Sequence, residues 1–150
     1  GRPVGGEAER MRYGCVPWAW SGRGFTARAH HLQKEEWQAK CNGDPDGMPV
    51  YTQEDDALLI LNGIQTQSAQ TYNLSAEYTD LQELEVDILR ISPQSTHMEE
   101  IIATFRAVID GNEDPVAAAR RLEPWMPVGA CSGYWFGEAG MKVPSEFLEA

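Results

Sequence analysis

The clearest periodic signal lies in the second half of the chain, where Met98, Ile101, Ile102, Phe105, Val108 and Ile109 recur at the spacing of one helical face. Thr96 and Glu99 form a capping-box pattern before it and Gly111 is a stop signal after it. The pattern predicts a helix over Thr96 to Asp110, packed through Ile101, Ile102, Phe105 and Ile109. Thr79 and Gln82 repeat the capping pattern, and Leu81, Leu84, Ile88 and Ile91 then predict a helix ending before Pro93. Asp114 as N-cap with Pro115 behind it starts a third helix, through about Arg121, which Pro124 closes. Trp125 to Gly140 is loop-like, with Tyr134, Trp135 and Phe136 grouped inside it.

The first half is less regular. Gly1 to Gly24 is rich in Gly, Pro and Arg, and is expected to be a linker-like arm that docks by the rings of Trp18 and Trp20, ahead of a single globular domain over 25–150. Phe25 to Cys41 fits two forms. Thr26 can cap a helix carrying Leu32 and Trp37, or Phe25-Thr26-Ala27 can be a short strand ending at the histidines. Asn42 to Gly47 is a turn by its residue types. Ala57 to Ile64 is a short apolar run that period alone leaves open: Thr52 with Asp55 suits a helix cap, while its length and Gly63 suit a strand. The expected class is α+β, a short strand pair with a helical C-terminal half, and a mostly α chain is the alternative.

Composition narrows this picture. With 150 residues, 42% of them hydrophobic, the chain can bury about two thirds of its unfolded surface around one core. No apolar run approaches the roughly 20 residues of a membrane span, and the start has no stretch resembling a signal peptide. The net charge of -11 is unevenly spread. Residues 1–42 carry seven basic and four acidic side chains, 43–113 carry two and fourteen, and 114–150 carry three and five. The acidic middle disfavours non-specific nucleic-acid binding and suits a basic partner. Cys15, Cys41 and Cys131 have no CxxC spacing, so free or buried thiols are expected, with a Cys15 to Cys41 bridge open if the chain is exported.

Three strings carry candidate chemistry: Ala29-His30-His31-Leu32, Leu61-Asn62-Gly63-Ile64 and Ser95-Thr96-His97. Adjacent side chains on a strand point to opposite faces, so one imidazole of the pair can ligate a metal while the other acts as general base towards a phosphate. His97, in the first turn of a helix, can complete the metal site. One divalent ion (Mg, Mn or Zn) would then offset charge on a scissile phosphate.

These strings resemble the AHH group of HNH nucleases, the ββα-metal fold found as C-terminal toxin domains of bacterial polymorphic toxins. The resemblance covers Ala29 to about Ile109 and departs from the family pattern at Gln33-Lys34, where a proline is usual. It implies a ββα-metal-like core, with His30 and His97 as metal ligands, His31 as general base and Asn62 as the residue that orients it. The implied activity is metal-dependent hydrolysis of phosphodiester bonds in DNA or RNA. The implied setting is the toxin end of a secreted protein delivered into a target cell, with a cognate immunity protein as partner.

The same residues have a plainer reading, with His30 and His31 at surface or helix-boundary positions and His97 a helix-start residue. The chain would then be a non-enzymatic acidic interaction module, an immunity-like inhibitor or assembly subunit, cytoplasmic, whose acidic segment covers a basic protein. The two readings differ in what they require. The nuclease needs strands at Phe25 to His31 and Ala57 to Ile64 that bring His30 or His31 near His97, and needs Arg23, Arg28, Lys34 and Lys40 along the substrate path. The module needs neither. Asp55, Asp56 and the Asp80 to Asp87 carboxylates read as a solvated face. The aromatic groups at Trp18-Trp20 and Tyr134-Phe136 read first as core and lid packing, and second as a stacking platform for a sugar or base.

Overall fold

The computed structural model describes residues 6–22, 24–33 and 40–137. The class is α+β. Among the described residues, eight strands, β1 (Glu9–Gly14), β2 (Pro17–Trp20), β3 (Met48–Tyr51), β4 (Ala57–Asn62), β5 (Gln65–Ser68), β6 (Thr71–Asn73), β7 (Ile88–Ile91) and β8 (Ala130–Cys131), form two four-stranded sheets. Four α-helices accompany them among the described residues: α1 (Phe25–Ala29), α2 (Tyr78–Glu83), α3 (Met98–Ile109) and α4 (Pro115–Leu122).

The first sheet has the order β7-β1-β6-β8 and is mixed, with β1 parallel to β7 and antiparallel to β6. The second, β2-β5-β4-β3, is antiparallel throughout. The chain passes between the sheets from β1 to β2 and again from β5 to β6. The two crossings are tied together, because the Val16 N–H donates to Ser68 Oγ at 2.9 Å and the Ser68 N–H donates to the Val16 carbonyl at 2.9 Å.

The core lies where α3 and α4 meet the first sheet. Tyr13, Ile101, Phe105, Leu122 and Met126 form a buried cluster, with Ile91, Met98, Trp125 and Ala130 packed at its margin. The face α3 buries is rotated from the one expected: Ile101, Thr104, Phe105 and Val108 are buried, whereas Ile102 and Ile109 are exposed. Thr104 explains the offset. Its hydroxyl donates to the Glu100 carbonyl and accepts from Arg121 Nη2, each at 2.7 Å, so a polar residue sits satisfied on the line towards α4.

The ends of the helices show which local signals held. Gly111, at φ +72°, lets the Asn112 N–H reach the Ala107 carbonyl (2.8 Å) and its own N–H reach that of Val108 (3.1 Å), a Schellman ending where a stop was expected. Asp114 caps α4 by accepting from the Ala117 N–H at 2.9 Å, with Pro115 at the first helical position. The Thr96 cap does not form. α3 begins at Met98 after His97, which takes a left-handed conformation with no side-chain cap.

Two larger expectations are corrected. The helix expected from Thr79 to Ile91 is α2 followed by β7. Glu85 turns left-handed at φ +53°, and the Val86 and Glu85 N–H groups close on the Leu81 and Gln82 carbonyls, each at 3.1 Å. Beyond that stop the apolar residues pair along β1. The arm expected over residues 1–24 contains β1 and β2, and β1 lies inside the first sheet with Arg12 and Tyr13 fully buried. A buried arginine made that stretch look polar. Trp18 and Trp20 do not dock; they are exposed by 48% and 67%.

Gly14 ends β1 at φ +110°, and a Cβ there would lie 2.5 Å from Ser92 Cβ and 2.8 Å from the Ser92 carbonyl oxygen. Gly14→Ala should therefore destabilise the fold by about 1–3 kcal/mol, read as a lower urea midpoint at unchanged slope. An unchanged midpoint would show that β1 and the Ser92 segment are not held this close.

Candidate functional site

Asn62 and Gln65 flank the two-residue turn that joins β4 to β5, with Gly63 at φ +59° in its first central position. The register sets Asn62 beside Gln65 and Gln65 beside Trp20, while Ile60 lies beside Gln67 one step along the same face. That face looks onto a cleft of about 70 Å³ between the sheets, to which Cys15, Asp46, Asn62, Gln67, Thr71 and Thr96 contribute. The far wall is clamped in place. Asp46 accepts from the Ser95 N–H at 2.6 Å and from the Ser95 hydroxyl, and Gln94 donates to the Trp125 carbonyl at 3.1 Å while accepting from the Tyr13 hydroxyl at 3.4 Å.

The cleft thus gathers Asn62 with the residue before His97, but not the histidines. His97 stacks on Trp125, with ring centroids 5.4 Å apart and planes at 13°, and its Nδ1 lies 4.0 Å from a Glu100 carboxylate oxygen. His30 and His31 are exposed at the C-terminal end of α1. The strand expected at Phe25 to His31 is not formed. The Phe25 N–H is held by the Gly63 carbonyl at 2.8 Å, and the His30 and His31 N–H groups bond back to Thr26 and Arg28, each at 3.1 Å, so the pair ends a helix and is not splayed across a strand. Ala57 to Asn62, the other half of the expected pair, is a strand. Among the described residues, no three His, Cys, Asp or Glu side chains group as a metal site requires. Of the expected basic path, Arg28 is exposed, while Arg23 and Lys34 and the side chain of Lys40 lie outside the described residues.

Several ionisable side chains lie inside the fold. Arg12 is fully buried and its guanidinium nitrogens have no hydrogen-bond partner among the described residues; burial lowers it to about 10, partly opposed by Glu77. Glu77 is itself buried, and that burial raises its carboxyl. Sequence reading passed over both, because nothing in Glu9-Arg10-Met11-Arg12 separates an interior arginine from a surface one. Cys15 and Cys131 are free thiols, and the Cys41 side chain, the other half of the expected Cys15 to Cys41 bridge, lies outside the described residues. Burial pushes Cys15 up to about 11, helped by the nearby Asp46 and Cys131, which keeps it a neutral thiol and a poor nucleophile at neutral pH.

These shifts have a pH consequence. Cys15 and Tyr13 are raised from 9 to about 11 and from 10 to about 12, so the stability they contribute is complete below pH 9 and is lost as pH rises through those values. Arg12 acts in the opposite sense from about pH 10 upward. Stability should therefore fall between about pH 9 and pH 10, and Cys15→Ala should flatten that fall. Equal urea midpoints at the two pH values would contradict the burial of these groups.

The outer surface has a second organised feature. Of the fourteen carboxylates in residues 43–113, twelve are exposed, Glu113 is half-buried and Glu77 is buried. Asp80, Glu83, Glu85 and Asp87 cluster along α2 and the turn after it, and within that stretch Leu84 and Ile88 are 63% and 40% exposed. Leu84 lies beyond the last turn of α2, which buries Leu81 instead. Of the two bases in the segment, Arg90 is engaged with Glu9. No family model matches this chain, and no solved structure matches it at a significant level.

Proposed function

We propose that the chain is a non-enzymatic acidic interaction module that binds a basic protein through the surface of α2 and the turn after it. The observation that supports this most is Leu84, 63% exposed and bracketed in the chain by Asp80, Glu83, Glu85 and Asp87. An apolar anchor with a charged rim is the anatomy of a protein interface: the anchor supplies affinity on desolvation, and the rim steers a complementary partner. The helical state of Phe25–Ala29 removes the strand that the nuclease reading needs, and the exposed carboxylates oppose a polyanionic substrate.

The test is affinity capture with the chain, followed by titration of the purified captured protein. The reading expects a basic protein binding one to one, and a clear loss of affinity in Leu84→Asp, which makes the surface more acidic but removes the anchor. A captured protein that binds Leu84→Asp as tightly as the parent would overturn it. So would phosphodiester cleavage by the purified chain that His31→Ala abolishes.

A further inference from the structure

We infer that the cleft-side face of the second sheet, at the rim formed by its β4-β5 turn and β2, binds a neutral saccharide, with Trp20 as the stacking platform and the Gln65, Gln67 and Asn62 amides as the hydroxyl-reading groups. The inference is independent of the basic-partner reading and uses a different surface.

It begins with register. Trp20 pairs with Gln65 and Gln65 with Asn62, so an indole and two amides stand in one row across three adjacent strands. Strands lie about 4.8 Å apart, so the row spans about 10 Å, a length that a disaccharide covers. The ends of the row differ in a useful way. Trp20 is 67% exposed on an edge strand, offering a ring to solvent, while Asn62 lines the inter-sheet cleft and makes no side-chain hydrogen bond among the described residues. The centre is prepared for hydroxyl groups: Gln67, only 9% exposed, donates from Nε2 to Gln65 Oε1 at 2.7 Å. That bond fixes both amides and leaves a Gln67 acceptor and a Gln65 donor side by side. Hydroxyls, which donate and accept at once, match that alternation. Thr71 and Thr96 continue the polar wall inside the cleft.

Charge sets the class of ligand. β2, β4 and β5 read Pro-Trp-Ala-Trp, Ala-Leu-Leu-Ile-Leu-Asn and Gln-Thr-Gln-Ser, without a single lysine or arginine. Nothing in the row can neutralise a phosphate, and Asp46 in the cleft would repel one. An aromatic face beside neutral amides suits the apolar face and equatorial hydroxyls of an uncharged sugar, and does not suit a nucleotide.

The experiment titrates the whole chain with maltopentaose, cellopentaose and N-acetylchitopentaose, followed by calorimetry and by NMR of the indole and side-chain amide groups. At least one should bind and move the Trp20, Gln65 and Asn62 signals together. Trp20→Ala, at an exposed position where folding is not at stake, should weaken that binding about tenfold or more. Trp18→Ala, outside the row, should leave it unchanged. The inference is overturned if none of the three moves those signals, or if Trp20→Ala binds as the parent does.

Discussion

Replacing Phe105 by alanine should cost about 3–5 kcal/mol, because the ring is only 4% exposed and its removal opens a cavity at the centre of the main cluster. Phe105 meets Tyr13 edge-on, with centroids 5.9 Å apart and planes at 71°, so the variant loses an aromatic pair as well as apolar contact. Tyr13 belongs to β1 and Phe105 to α3. The loss should therefore separate the N-terminal strand from the helical layer, and not merely fray a helix. Ile102→Ala, on the same helix but 51% exposed, should change stability by under about 0.5 kcal/mol. Urea midpoints at unchanged slope distinguish the two. Equal effects at both positions would mean that α3 buries the face the sequence pattern suggested and not the one described above.

The second large effect concerns the acidic surface. Changing Asp80 to Asn and Glu83 and Glu85 to Gln removes three charges while keeping similar size, and should weaken binding of the basic partner by about tenfold or more. Most of the loss should appear in the association rate, since rim charges mainly steer encounter. Raising the salt from about 50 mM to about 500 mM should weaken the parent steeply and the triple variant little, because there is less charge left to screen. The equivalent change at Glu54, Asp55 and Asp56, on the turn between β3 and β4, should have a much smaller effect. If both triplets matter equally, the attraction comes from net charge alone and α2 is not the site.

Much of the helical layer was legible in the sequence. Asp114-Pro115 and Gly111 act through local geometry, so their signals survive folding intact. The class, α+β, was also within reach, because Ala57 to Ile64 carried the length and glycine of a strand. What misled were positions whose meaning depends on distant neighbours. Leu81, Leu84, Ile88 and Ile91 mimic a helical stripe, yet Ile88–Ile91 completes a sheet edge beside β1, a partner almost eighty residues away. Arg12 reads as surface and is interior. Thr104 reads as a gap in the α3 stripe and is its buried centre, because Arg121 reaches it from α4. Of the site residues, Asn62 is found in a cleft, His30 and His31 stand at an exposed helix end, and His97 stacks on Trp125. Adjacency in sequence predicted their convergence only on the premise that Phe25 to His31 was a strand. The Gln65 and Gln67 pair went unremarked because its row exists only once three strands are in register.

The most direct test of the basic-partner reading is hydrogen exchange on the chain with and without the captured basic protein. New protection is expected over Tyr78 to Ile88, centred on Leu84, with exchange around His30, His31 and Asn62 unchanged. Protection confined to the histidine-bearing segments, with Tyr78 to Ile88 exchanging as in the free chain, would contradict it.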